Sequence, residues 1–331
     1  MDIAAFVAVH EPTWKRLKQL TRKRRLSAAE IDTLLADYQA SCTHLSQLMS
    51  QNPDAELSAR LSLLINRARL RITGTRIGTL GAVKNFFLSE YPGAIWRVRY
   101  WVLGCTLASL LIASVTGYLV ATGDGLRDAL LTPGQQRQLV SRDFVGYYFA
   151  SSNGDFMARV FTNNAWVSVQ AVVFGVTGLY VLFVMSANAI NVGVSGGVLA
   201  AYGQLGTFFT YILPHGLLEL TSVFIACGAG LFLFWSWISP GPLGRMRSLA
   251  SAARSMMTIA LGLVPTLLVA GFLEGYVTPS ALPAWARIAI GAAVWLLFIA
   301  YVVRFGPRAV ARGVDGDLPP EVVGYEDEVA G

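Results

Sequence analysis

The chain has 331 residues, 54% of them hydrophobic and only 14% charged, against about 25% charged in an ordinary soluble protein. That balance excludes a soluble globular enzyme and points to an integral membrane protein. Apolar runs at 101–121, 165–187 and 216–238 each reach the roughly 20 residues a spanning helix needs. The net charge of +6 does not indicate nucleic acid, because 15 of the 26 Lys and Arg fall in residues 1–100, ahead of the first spanning run. Such a flank is what the positive-inside rule expects on the cytoplasmic side, with anionic lipid as its neighbour.

Residues 1–90 read as a cytoplasmic helical domain. Residues 1–30 hold no uninterrupted apolar core, so no secretory signal peptide is expected. Arg16 to Arg25 is a basic run, a solvated face or a lipid-facing patch. Ser27-Ala-Ala-Glu30 has the form of a capping box, and after it Ile31, Leu34, Leu35, Tyr38, Leu45 and Leu48 recur at helical spacing. Asn52-Pro53-Asp54 interrupts that helix. Leu57, Leu61, Leu64, Ile65, Ala68 and Ile72 then repeat the stripe, which predicts an antiparallel helical hairpin. From Lys84 to Trp101, aromatic residues alternate with cations, a mixture suited to the headgroup zone. Lys84, Trp96, Arg97 and Arg99 are the candidates for membrane-surface binding on an interfacial elbow helix.

Residues 91–305 are expected to form the transmembrane bundle. The first span covers about 101–122, a polar outer loop covers 123–164, and the second span covers 165–190. Gly193–Ile212 is Gly-rich, and its Gly193-xxx-Gly197 spacing suits close helix approach and self-association as a dimer. Spans at 215–238, 257–273 and 285–304 follow, then a cytoplasmic tail, 306–331, with Glu326, Asp327 and Glu328. If Gly193–Ile212 crosses, Arg245, Arg247 and Arg254 fall on the same side as Arg304, Arg308 and Arg312. The positive-inside rule favours that arrangement. The expected fold is therefore all-α, an integral membrane helical bundle of about six crossings with both termini inside and room for one broken or re-entrant crossing.

Ionisable groups inside such a bundle mark function. Pro214 reads as a helix start, followed by His215 and Glu219 one turn apart on one face. Under six crossings, Asn163 and Asn164, His215 and Glu219, and Glu274 with Thr278 all come to the outer leaflet side. Asn188 and Asn191 form a second polar layer at the cytoplasmic end. A private His215–Glu219 pair is the plainer reading. His215 and Glu219 have the i, i+4 spacing of metal ligands, but no second His accompanies them, so no metal or cofactor is expected. A proton or ion relay through Glu219 and Glu274 is the stronger chemical reading. No catalytic residue is expected: GxSxG and GxxxxGK[ST] are both absent. Cys42, Cys105 and Cys227 are scattered, with no CxxC pair, and read as small apolar fillers.

The stretch LPHGLLELTSVFIACGAGL at 213–231, taken with NN at 163–164 and EGYVTP at 274–279, resembles the stage II sporulation protein M family. Asn188-Ala189 departs from the Asn-Gly frequent in that family. The resemblance implies a polytopic bacterial inner-membrane protein without known catalytic activity. The family's namesake is a membrane scaffold for peptidoglycan-degrading proteins. Relatives often lie beside genes for MoxR-type AAA+ ATPases and RDD-family membrane proteins, which makes both candidate partners. The leading reading is a non-catalytic scaffold or assembly factor in envelope remodelling, in contact with lipid and not nucleic acid. The alternative is an ion or small-solute transporter using His215, Glu219 and Glu274.

Overall fold

A computed structural model describes residues 3–23, 26–51, 55–72, 79–149, 153–242 and 244–317. The Asn52-Pro53-Asp54 interruption and the acidic Glu326, Asp327 and Glu328 lie outside these residues. The described residues are helical throughout, with no strand, and divide into two compact units, Met1–Ala82 and Val83–Gly331.

Among the described residues the first unit has three helices, α1 (Ile3–Arg22), α2 (Ala28–Gln51) and α3 (Ala55–Ile72): the two expected stripes, α2 and α3, pack together and α1 joins them. Residues 16–25 were expected as a basic run, yet the helix that carries the first half of that run supplies Phe6, Trp14, Leu17 and Leu20 to a core completed by Leu34, Leu48, Leu61 and Ala68. The capping box forms as anticipated, with Ser27 N–H donating to Glu30 Oε2 at 2.9 Å and Glu30 N–H to Ser27 Oγ at 3.4 Å. The inward face of α2 differs from the apolar stripe. Ile31 and Leu35 are exposed, while Asp37 is buried because Arg16 reaches across from α1 and grips both its oxygens at 2.6 and 2.7 Å.

The second unit begins with α4 (Thr79–Asn85), a π-helical turn at Phe86–Glu90 and α5 (Tyr91–Arg97), the elbow into α6 (Arg99–Thr122). The outer connection is structured. Short helices α7 (Asp124–Leu130) and α8 (Pro133–Gln138) are tied by the buried Gln136, which binds Asp128, Leu131 O and Tyr202, and α9 (Phe144–Gly146) follows them. Helix α10 (Asn153–Val173) follows, then α11 (Leu179–Ala201), α12 (Leu205–Ile238), α13 (Arg245–Phe272), prolonged by a π-helical turn at Leu273–Val277, and α14 (Ala284–Val310). Among the described residues five helices are long and apolar enough to cross a membrane: α6, α11, α12, α13 with its π turn, and α14. Helix α10 is as long, 21 residues, but less apolar, carrying Asp155 and Arg159. The protein is a multi-pass membrane bundle.

Three boundaries depart from expectation. The span anticipated at 165–190 is cut at Phe174–Gly178. Gly178 takes a left-handed φ of +62°, where a Cβ would also strike the Phe234 ring at 2.6 Å. The Gly-rich 193–212 stretch is accordingly no separate span: its first half completes α11 and its second half opens α12. Its Gly193-xxx-Gly197 spacing is consumed inside the chain, because a Cβ at either position would lie 2.6 Å from a carbonyl of α6, Ala113 O or Gly117 O. Third, Pro214 does not start a helix. α12 runs nine residues ahead of it, held by Phe208 in a core with Val198 and Leu199 of α11. A proline inside a helix forfeits one backbone bond, but here the apolar flanks and the close approach of α14 keep the helix going.

The segment after α14 folds back onto the elbow. Asp315 pairs with Arg97 at 3.0 Å and Asp317 with Arg254, while Gly316, at φ +86°, packs against Ala94. Arg97 also donates to Ser255 and Ser251, so it clamps the bundle interior where a lipid-facing cation was anticipated. Arg99 lies over the rings of Trp96 and Tyr100, and Lys84 is exposed. Cys105 and Cys227 are free thiols buried in the core, and Cys42 is free and half-buried.

In the first unit His44 accepts a hydrogen bond at Nδ1 from Trp14 Nε1–H at 3.2 Å and stacks on His10 at 3.7 Å between ring centroids. Protonation would cost that bond and set two cations face to face. Burial, then the charge of His10, holds the His44 pKa below its ordinary 6.5. A group with a depressed folded pKa takes up more protons when unfolded where it is a base, so stability is full above pH 6.5 and falls as pH drops through and below that value. The fragment 1–82 should melt cooperatively at pH 7.5 and lose Tm toward pH 5. His44→Gln, which keeps an acceptor for Trp14, should flatten that slope in circular dichroism melts.

Candidate functional site

The polar residues of α10, α12 and the end of α13 converge. Glu219 is the fifteenth residue of α12, about 21 Å along it. Its Oε1 accepts from Asn164 Nδ2 of α10 at 2.8 Å. His215, one turn earlier, is 4% exposed and points its ring toward the end of α13. There His215 Nδ1 meets Thr278 Oγ1 at 3.2 Å, and His215 Nε2 lies 3.8 Å from Glu274 Oε1. The i, i+4 pair therefore does not satisfy itself. Each member looks to another helix, Glu219 to α10 and His215 to α13, although one ligand-type atom from each of His215, Glu219 and Glu274 lies within 4.8 Å of the others.

Local sequence explains the aim of Glu274. Residues 273–277 form a π-helical turn in which Thr278 N–H donates to Leu273 O, five residues back, at 2.9 Å. Such a turn inserts one residue and swings the side chains after it, a device that recurs at functional sites. Pro279 then ends the helix. The opposing wall is fixed by Gly291 of α14, where a Cβ would stand 2.0 Å from Pro214 O. The Pro214–Gly291 approach thus brings α14 against the turn that carries His215.

Two residues of the site were not anticipated. Arg287 of α14 donates to Thr278 O at 2.5 Å and lies over the Tyr211 ring at 5.1 Å. Tyr148, buried, stacks on Tyr211 at 5.2 Å and tilts over His215 at 5.9 Å. From the aromatic stretch 144–149, Tyr148 thus roofs the cluster. A lone cation at the head of an apolar run was the signal available for Arg287; Tyr148 had none in the sequence.

Other candidates lie elsewhere. Asn163 is exposed beside Arg159 and Trp166, one residue and about 100° around the helix from Asn164. Asn188 and Asn191 stand in the middle of α11, not at its end, because the chain turns at 174–178 and not near 190. Asn188 back-bonds to Val184 O at 3.3 Å and Asn191 is exposed, so they build no layer with the cluster.

The Asn164–Glu219 bond spans α10 and α12, so removing the amide leaves a buried carboxyl oxygen without its donor. Asn164→Ala should cost about 1–3 kcal/mol, read as a lower unfolding midpoint in detergent. In double-mutant cycles Asn164 with Glu219 should show coupling on the order of 1 kcal/mol, larger than that between His215 and Glu219.

The comparisons with known proteins fit this geometry. A family described as a domain of unknown function matches residues 4–74, within the three-helix unit. Comparison with curated proteins and with solved structures found no match. The family described as stage II sporulation protein M matches residues 106–279, from the first long helix to the proline behind the π turn, and takes in Asn164, His215, Glu219 and Glu274. With more than half its length so matched, the chain belongs to the stage II sporulation protein M family.

Proposed function

We propose that this protein is a non-catalytic membrane scaffold or assembly factor of the bacterial inner membrane, working in envelope or peptidoglycan remodelling. The observation that carries the reading is the division into two units, each with its own core. The three-helix unit is a binding module and the bundle is its anchor. Between α1 and α3 the module has a groove floored by Trp14, Leu61 and Leu64 and rimmed by Lys15, which pairs with Glu11, and by Lys18, Arg60 and Arg67, a net basic rim that suits an acidic amphipathic segment of a partner. A MoxR-type AAA+ ATPase and an RDD-family membrane protein are the first candidates, on the family resemblance. A homodimer remains part of the proposal, although Gly193 and Gly197 are spent within the chain. Native purification should recover a stable complex with the full-length protein. Reversing the rim with Lys18→Glu and Arg60→Glu should abolish it while leaving membrane insertion intact. Recovery of the same complex with the reversed rim would refute the module.

The second reading, transport of an ion or small solute, draws on the carboxyls of Glu219 and Glu274 inside a membrane bundle. It requires flux from the pure protein in liposomes, lost in Glu274→Gln, and the absence of flux leaves the scaffold.

The cytoplasmic placement of the termini and of Arg245–Arg254 belongs to the same proposal. It rests on basic residues at the start of α6, at the start of α13 and at the end of α14, and it takes α10 as a sixth crossing. A cysteine at the exposed Met246 should resist an impermeant thiol reagent in intact cells, and one at Ala281 should react. The reverse pattern would invert the topology.

A further inference from the structure

We propose that His215, Glu219 and Glu274 bind one first-row divalent cation, with zinc the best match, independently of the scaffold reading. Sequence alone offered two ligands at i, i+4 spacing, and the fold brings the third from α13.

Three observations carry the site. One ligand atom from each of the three residues lies within 4.8 Å of the other two. The centre of such a triangle is at most about 2.8 Å from each corner, a small side-chain rotation from the 2.0–2.2 Å of zinc bound to histidine nitrogen or carboxylate oxygen. Next, among the described residues five buried side-chain polar atoms have no hydrogen-bond partner, and Glu219 Oε2 and Glu274 Oε2 are two of them. Glu274 is 4% exposed. The two carboxyls lie close enough to share a hydrogen bond when one of them is protonated; as two carboxylates they leave these oxygens unmet by any protein donor.

The third observation is the tautomer of His215. Thr278 Oγ1 has one proton, and it lies 3.2 Å from Leu273 O, which can only accept. With the Thr278 proton given to Leu273 O, which also accepts Thr278 N–H, the hydroxyl accepts from His215 and Nδ1 carries the proton. In the neutral imidazole Nε2 is then a lone pair, and it faces Glu274 Oε1 at 3.8 Å. A lone pair and carboxylate oxygens turned on one another repel unless a proton or a metal cation lies between them. Histidine ligands are commonly held in this way, the distal N–H fixed by a neighbouring acceptor while the proximal nitrogen meets the metal.

The donor set selects the ion class. Calcium and magnesium favour shells made wholly of oxygen, whereas one imidazole with two carboxylates suits zinc and its first-row neighbours. The cation balances the two carboxylates, and Arg287 is the remaining charge beside them, held on Thr278 O. Asn164 on Glu219 Oε1 and Thr278 on His215 orient the ligands from behind.

The test uses the full-length protein without a polyhistidine tag, purified in mild detergent, stripped with chelator and titrated with Co2+. One equivalent per chain should bind, with visible d–d absorption that Zn2+ displaces. Glu274→Gln, close in shape to the original, should weaken Co2+ binding tenfold or more, and His215→Ala likewise. The chain has three histidines, and His10 with His44 is the rival site, so His44→Gln should leave binding unchanged. Folding of each variant is checked by gel-filtration elution. The wild-type titration stands alone if a variant aggregates. Failure of the folded wild type to bind one equivalent overturns the proposal, as does binding untouched by Glu274→Gln or lost in His44→Gln.

Discussion

Taking a carboxyl group out of water into an apolar interior costs several kcal/mol unless other groups compensate it, and the bundle meets that cost twice within a few ångströms. Glu219 and Glu274 lie on different helices, so neither can be satisfied by its own backbone. The surrounding architecture reads as the set of devices that bring partners to them. Helix α10 turns Asn164 inward, the π turn after α13 redirects Glu274, and α14 closes against Pro214 through a residue that has no side chain. Tyr148 and Tyr211 roof the assembly with aromatic surface. Each contribution comes from a different segment, which is why the residues of the site are spread over more than a hundred positions of the chain.

Much of this was legible in the sequence, and the part that was not fails for definable reasons. Composition and run length identify a multi-pass bundle because the hydrocarbon thickness fixes helix length. Counting crossings brings Asn164, His215, Glu219, Glu274 and Thr278 to one side, and they do meet, but Asn164, His215 and Glu219 do so from within their helices and not from helix ends. Counting does not show where an unbroken apolar run turns. The cut at Phe174–Gly178 lies inside one such run, and it moved Asn188 and Asn191 from a helix end to a helix middle. Nor does a pair of adjacent asparagines say which one faces in: consecutive positions are about 100° apart on a helix, and neighbours decide. α1 went unread because Lys15, Arg16, Lys18 and Arg22 interrupt its second half, although Trp14, Leu17 and Leu20 fall on one face.

Small residues carry a second lesson. Gly193 and Gly197 have the spacing associated with helix association in membranes, and the motif does bring two helices together, but the partner is α6 of the same chain. Spacing specifies a flat, approachable surface and says nothing of whose helix approaches. The same holds for Arg97, whose sequence neighbours suggested lipid and whose actual partners are Ser251, Ser255 and Asp315.

That last contact bears on how the protein is made. The elbow at residues 91–97 emerges from the ribosome ahead of every long apolar helix, whereas Asp315, Gly316 and Asp317 emerge only after α14. The clasp between them cannot close during synthesis. It closes only after α14 has been inserted with its C-terminal end on the side of the bilayer where the elbow waits. A chain that stops early, or that inserts its last helix the wrong way round, leaves Arg97 and Arg254 without those carboxylates and Ala94 uncovered. Completion of the bundle is thus marked chemically at its membrane surface, by two arginines that find their aspartates only in a finished and correctly threaded molecule.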